Sequence, residues 1–265
     1  MLQTSLNELP GYAPGLPLPV IEDSRSTFDL KLAKAVQRQM LPRSPRRLNT
    51  VECAGISTAA SGIGGDYYDF LDLGQKSLGF VLADISGKGI AAALLMANLQ
   101  ASIRCECARG FRNLNTMLQR VNSHFLNSTL PAQYATLFFG QYDDRTRRLN
   151  YINCGQQPAI IVRADRSVER LETTAAPLGL FSDWTGLRNQ VQLRPGDSVF
   201  VCSDGVTDAG LENGYEFGEA GLISVVTANT DQNIETAVAR IAQAAHLYET
   251  DGPADDMTVA GISVV

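Results

Sequence analysis

Short apolar or alternating runs, separated by turn residues, fill most of the chain from Val51 onward. VECAGIST (51–58) and LGFVLADI (78–85) read as strands. Further on come YATLFFGQYD, RLNYINCG, PAIIVRAD, SVERL, NQVQL and DSVFVCSD, with turn signals such as DDRTRR and RPGD between several of them, and MTVAGISVV closes the chain. Strands this closely spaced predict antiparallel hairpins rather than parallel strands joined by crossover helices. Helical patterns cover about 89–108, apolar at its start and expected to be buried, then NLNTMLQRVNSHFLNS, then about 217–228 and 233–249. In the last of these Ile234, Val238, Ile241 and Ala245 share one face. The pattern is α+β, with antiparallel sheets faced by helices.

The N-terminal part reads differently. Residues 1–25 carry Pro10, Pro14, Pro17 and Pro19 and little apolar material, which predicts a flexible arm. A helix follows over 26–42, with Ser26 as its cap and Asp29 three residues on. Leu32, Val36 and Met40 form one apolar stripe on it, suited to the domain or to a second chain, and Pro42 ends it. Arg43, Arg46 and Arg47 read as a solvated basic turn, and 43–265 as the folded domain.

Composition narrows the function. The 265 residues carry a formal charge of −6, with no long basic run, which argues against nucleic-acid binding. The strongly apolar stretch IAAALLMANL is too short to span a bilayer, and the N-terminus lacks a signal-peptide layout, so a cytoplasmic protein without membrane attachment is expected. Five cysteines without disulfide or zinc spacing read as reduced thiols of a core.

The candidate chemistry lies in aspartates. Asp84 and Asp204 end apolar runs, Asp255 and Asp256 lead into one, and Asp66 sits between glycines and aromatics. Strand ends placed side by side would gather these carboxylates at one sheet edge. There they repel one another unless protons or a cation neutralise them, and hard divalent ions such as Mg²⁺ and Mn²⁺ prefer such oxygen ligands. Asp69, Asp72, Asp143, Asp144 and Asp208 read as turn or surface residues, and His124 and His246 as helix residues remote from the aspartates. SGKG is similar to a phosphate-cradling loop, yet Leu82 stands where the first Gly of that loop must be and Gly89 where its Ser or Thr must be. Lys88 therefore reads as a solvated lysine at a helix start, flanked by glycines that let the chain turn tightly from strand to helix.

Five ordered motifs, GGDYYDF, ADISGKGIAAALLMA, ATLFFGQYD, SDGVTDA and DDMTV, resemble those of the metal-dependent protein phosphatases (PPM, or protein phosphatase 2C-like), in the bacterial branch that includes SpoIIE and RsbU. QRQMLP is similar to the segment preceding the phosphatase domain in that branch, so the resemblance covers about 30–265. It implies an αββα sandwich, two packed antiparallel sheets flanked by helices. It also implies two Mn²⁺ or Mg²⁺ ions: Asp84 bridging both, with the Ile85 carbonyl a further ligand, Asp66 on one ion, Asp204 and Asp255 on the other. Asp256 is the alternative to Asp255, and Gly65 and Gly205 let the backbone turn beside the ions. The metal-bound water held by Asp66, Asp84, Asp204 and Asp255 would attack a phosphoserine or phosphothreonine in line, with no phosphoenzyme. Ser86 stands where eukaryotic members carry a histidine, and no residue is marked as the general acid.

Two departures stand out. NCGQQPA (153–159) replaces the usual NAGHNPP, so that Gln156 and Gln157 stand for His-Asn. That change is expected to bear on loop structure or substrate contact rather than on metal binding. A sensor domain precedes the helix in many relatives. Here the expectation is a stand-alone enzyme, a piece of a longer chain, or a separate sensor protein. The implied substrate is a phosphorylated STAS-type anti-sigma-factor antagonist, and the 26–42 helix would contact an upstream sensor or a second copy. The alternatives are a catalytically silent partner-binding relative and a hydrolase of small phosphorylated metabolites.

Overall fold

The computed structural model describes residues 24–42, 44–228, 230–250 and 252–265. The arm expected over 1–25 thus lies outside them except for its last two residues, which already belong to the first helix. That helix, α1 (Ser24–Met40), starts ahead of Ser26, so Ser26 lies in its first turn rather than at its cap. Arg43 also lies outside the described residues. Arg46 and Arg47, expected in a basic turn, instead form a short edge strand, β1 (Arg46–Arg47).

Two antiparallel sheets make the body of the molecule. One has the order β1, β2 (Val51–Thr58), β11 (Met257–Val264), β10 (Ser198–Cys202), β7 (Ala159–Val162), β8 (Val168–Leu171). The other runs β3 (Tyr67–Asp72), β4 (Ser77–Ile85), β5 (Ala135–Asp143), β6 (Arg148–Cys154), β9 (Asn189–Gln192). Every ladder between these strands is antiparallel, as their close spacing predicts.

The period of two sorts the side chains into layers. On β4, Leu78, Phe80 and Leu82 point between the sheets, while Val81, Ala83 and Ile85 point at α2 (Gly89–Arg109) and α3 (Leu114–Leu126). On β10, Val199 and Val201 fill the space between the sheets, and Phe200 and Cys202 meet α5 (Gly218–Ala228) and α6 (Ile234–His246). Helices therefore cover both outer faces, which is the αββα sandwich. Burial on both faces explains why β4 reads as one apolar run rather than an alternation.

The sequence pattern misses β3. Its residues Tyr67–Leu71 are all buried, so no alternation marks it. Asp69 on that strand, expected at the surface, is 3% exposed. It accepts hydrogen bonds from Tyr67 Oη (2.8 Å), Arg104 Nε (2.7 Å) and the Phe70 amide (2.9 Å). Asp144 is likewise buried and caps the 49–50 turn through the Asn49 and Thr50 amides (3.3 and 2.7 Å). Asp144 keeps the expected turn position, and the burial of both has one cause: a carboxylate stays inside a fold when several donors surround it.

Candidate metal centre

Antiparallel pairing brings the aspartates together. Tyr67 pairs with Ala83, so Asp66 at the start of β3 and Asp84 near the end of β4 lie at the same edge. Cys202 pairs with Val259, which sets Asp204, just past β10, beside Asp255 and Asp256, just before β11. Asp204 itself opens a single helical turn, α4 (Asp204–Thr207), that sequence reasoning takes only as a strand end.

The chain turns from β4 into α2 through Gly87 (φ 93°) and Gly89 (φ 73°), left-handed conformations that suit glycine. Lys88 stands between them, and it is not simply solvated. Its Nζ lies 2.9 Å from Asp255 Oδ2 and donates to the Ala254 carbonyl at 2.8 Å. Gly65 and Gly205 serve close approach rather than a turn. A Cβ on Gly65 would lie 3.1 Å from the Ile85 carbonyl oxygen, and one on Gly205 would overlap the Asp256 carbonyl.

The carboxylates differ in how they are satisfied. Asp66 is 5% exposed and neither of its oxygens has a hydrogen-bond partner. The nearby hydroxyls donate elsewhere, Ser203 Oγ to the Asp256 carbonyl (3.1 Å) and Thr258 Oγ1 to Ser57 Oγ (2.8 Å). Burial, and then the charge of Asp84, raises the Asp66 pKa well above the usual carboxylate range. Asp84 is pushed up to about 7 by burial and then by Asp204, Asp255 and Asp256. Asp204 is raised by burial and by Asp255. Three carboxylates at one edge whose charged forms oppose one another suit a neutralising cation.

Asp256, the alternative to Asp255, is held differently from its neighbour. It is buried, and both its oxygens are committed, Oδ1 to the Ala60 amide (2.9 Å) and Oδ2 to the Gly65 amide (2.6 Å). It therefore fastens the loop that delivers Asp66. Asp256→Ala strands two backbone donors. The expected cost is about 3 kcal/mol, seen as a melting temperature lower by several degrees, and an unchanged melting curve would refute this role.

The donor set, carboxylates without imidazole or thiolate, fits a hard divalent ion, and the orphaned Asp66 carboxylate gives it a ligand in waiting. His124 and His246 lie exposed on α3 and α6, apart from the cluster. Among the described residues no group of three or more His, Cys, Asp or Glu side chains is arranged to hold an ion as it stands. The ion pair with Lys88 and the Asp256 amide (2.8 Å, to Oδ1) occupy both oxygens of Asp255.

The family model for stage II sporulation protein E (SpoIIE) matches residues 74–265. The chain belongs to the SpoIIE family. Its curated relatives include Protein IcfG of Synechocystis sp., 26% identical over 241 residues, covering 81% of this chain and 38% of that one. Phosphoserine phosphatase RsbU of Bacillus subtilis is 26% identical over 188 residues, covering 71% of this chain and 56% of that one. The chain thus spans well under two thirds of these relatives. Among solved structures, the SiaA-PP2C domain of Pseudomonas aeruginosa superposes with a TM-score of 0.77 at 20% identity, over 91% of this chain and 98% of that one. That likeness places the SpoIIE-family chain in the PPM, or protein phosphatase 2C-like, fold.

Other expectations meet the structure as follows. Four cysteines are buried, Cys105 is exposed, and none is in a disulfide. No helix of the described residues is long and apolar enough to cross a membrane. Gln156, at a position where substrate contact was an option, is 3% exposed and faces inward.

Proposed function

We propose that the chain is a metal-dependent protein serine/threonine phosphatase of bacterial signalling, with 43–265 as its catalytic domain. The observation that carries this reading is the buried, unpartnered Asp66 carboxylate set against Asp84 within a cluster of aspartates. Membership of the SpoIIE family and the name of its relative RsbU, a phosphoserine phosphatase, support the reaction class.

Two Mn²⁺ or Mg²⁺ ions are assigned to Asp66, Asp84, the Ile85 carbonyl, Asp204 and Asp255. Such a pair, when bound, supplies Lewis acidity that lowers the pKa of a water and offsets charge on phosphoryl oxygens. The protein's part is electrostatic and positional. Asp84 stands in the field of acids from both sheets and would serve both ions. Asp66, whose ionisation is disfavoured by burial and by Asp84, would hold an ion together with Asp84. Asp255, paired here with the Lys88 ammonium, would hold an ion together with Asp204. Ser86 accepts the Tyr134 amide (2.9 Å) and so holds the 130–134 loop at the mouth of the site.

Purified protein is expected to hydrolyse p-nitrophenyl phosphate only with Mn²⁺ or Mg²⁺, and Asp204→Ala to reduce that turnover by about a hundredfold or more. Folded protein that shows no turnover with any divalent ion would favour the silent partner-binding relative. The substrate is a phosphorylated STAS-type protein on this reading. Preference for free phosphoserine over such a phosphoprotein in competition would favour the metabolite hydrolase.

The helix α1 is assigned a regulatory role. Its Gln37 side chain donates to the Gly64 carbonyl (2.7 Å) and accepts the Gly64 amide (3.1 Å), next to the loop glycine that precedes Asp66. The stripe expected on this helix is half open, with Leu32 and Val36 about as exposed as covered, beside exposed Ile90 and Leu94 of α2. A second copy of the chain or an upstream sensor would cover it. Deleting 1–42 is expected to alter both activity and sedimentation. If neither changes, the regulatory role is lost.

A further inference from the structure

Gln156 and Gln157 follow β6, which belongs to the five-stranded sheet, yet the Gln156 side chain reaches β10 of the other sheet and that of Gln157 reaches α4 beyond its end. The Gln156 amide has contacts on both sides. Its Oε1 accepts from Thr136 Oγ1 on β5, and its Nε2 donates to the Cys202 carbonyl at the end of β10 (2.9 Å). Its backbone amide is held by Asn153 Oδ1 (2.8 Å), so the side chain is aimed from a fixed base. Thr136 is the cross-strand partner of Asp84, and Cys202 lies two residues before Asp204. Gln157 adds a second tie. Its Nε2 donates to Thr207 Oγ1 (2.8 Å), which in turn donates to the Asp204 carbonyl (3.1 Å).

We propose that Gln156 is a positioning residue: by joining Thr136 of one sheet to the Cys202 carbonyl of the other, it fixes the separation of Asp84 from Asp204 and so the affinity of the site for divalent cations. The inference rests on the metal-dependent reading above. Sheets in a sandwich are held apart by side chains that have no preferred separation to a few tenths of an ångström, whereas ion ligands require one. A buried amide with one donor and one acceptor engaged on opposite sheets supplies that fixed length. Apolar packing of the same volume would not.

The test uses the full chain with Mn²⁺ titrated calorimetrically and melting followed in EDTA. Gln156→Met keeps the volume and loses both contacts; Thr136→Val loses one and leaves the loop alone. Gln156→His retains one donor and one acceptor. The Mn²⁺ dissociation constant is expected to rise about tenfold or more in Gln156→Met, less in Thr136→Val, and to be partly restored in Gln156→His. Loss of activity in the two weakened variants should be reversed by raising Mn²⁺, with the Michaelis constant for p-nitrophenyl phosphate unchanged. A residue that only stabilises the fold would lower the melting temperature and leave the Mn²⁺ constant of the folded protein unaltered; that result overturns the proposal. If Gln156→Met does not fold, Thr136→Val decides, and a Mn²⁺ constant within about twofold of the parent overturns the proposal. Wild-type protein that binds no Mn²⁺ overturns the metal reading and this inference together. Binding by wild type with unchanged variants overturns this inference alone.

Discussion

Replacing Asp66 with Asn is expected to abolish turnover and, at the same time, to stabilise the metal-free protein. The two effects have one origin. Asp66 is almost fully buried, its oxygens have no partner, and the charge of Asp84 stands against it. Near neutral pH the metal-free fold must either keep this acid protonated or tolerate a buried charge, and either choice costs stability relative to the unfolded chain. Asparagine has nearly the same shape and never ionises. The gain should be about 1–2 kcal/mol, read in EDTA as a melting temperature higher by about 3–6 °C. Turnover with Mn²⁺ should fall by about a hundredfold or more because a neutral amide is a poor ligand for a hard cation. Asp208→Asn, at an exposed position at the end of α4, is the control and should change neither quantity. An Asp66→Asn protein that melts lower in EDTA, or that keeps Mn²⁺-dependent turnover, would remove Asp66 from the proposed ligand set.

That a ligand can burden its own fold also explains which parts of this protein are legible in its sequence. Where a residue's setting is local, the pattern reports it. β2 follows its apolar run residue for residue, and α6 follows the spacing of Ile234, Val238, Ile241 and Ala245, all of which are buried. The aspartates at strand ends were visible because each interrupts an apolar run. What the pattern could not report depends on residues distant in the chain. Asp69 and Asp66 are three residues apart and both buried, yet one is ringed by donors from α2 and β3 and the other has none. Nothing local separates them. Asp256 is occupied by amides nearly two hundred residues earlier, so its neighbour Asp255 is the one facing Lys88. The two glutamines read as a loop variation, because their partners, the Cys202 carbonyl of β10 and Thr207 of α4, are met only after the sandwich closes. The layering itself came from family resemblance, since a buried strand does not record which sheet lies opposite.

In EDTA the wild-type protein is expected to lose stability as the pH rises from about 4 to about 7, relative to Asp84→Asn, and Mn²⁺ is expected to reverse that slope. Burial and then the charges of Asp204, Asp255 and Asp256 push Asp84 in the folded protein up to about 7, from 3.8 for a free aspartate. Between those values the folded protein keeps a proton that the unfolded chain has released, so each step upward in pH favours unfolding. Below the window both states are protonated and the stability is intact. Above it both are ionised, and the repulsion among the carboxylates is present in full. Asp66 and Asp204 are shifted in the same direction and steepen the fall. Asp143, Asp144, Asp165 and Glu169 are shifted the other way by their hydrogen bonds and ion pairs, but their contribution changes at more acidic pH. Subtracting the Asp84→Asn curve removes it. The difference between the two proteins should grow to about 4 kcal/mol across the window, measured by urea denaturation at several pH values. With saturating Mn²⁺ the ligand binds the ionised carboxylates and competes with protons, so wild-type stability should now rise with pH and exceed that of the variant near neutrality. A wild-type curve parallel to that of Asp84→Asn in EDTA would mean that the aspartates of the two sheets do not share one field, and the cation site built on them would fall with it.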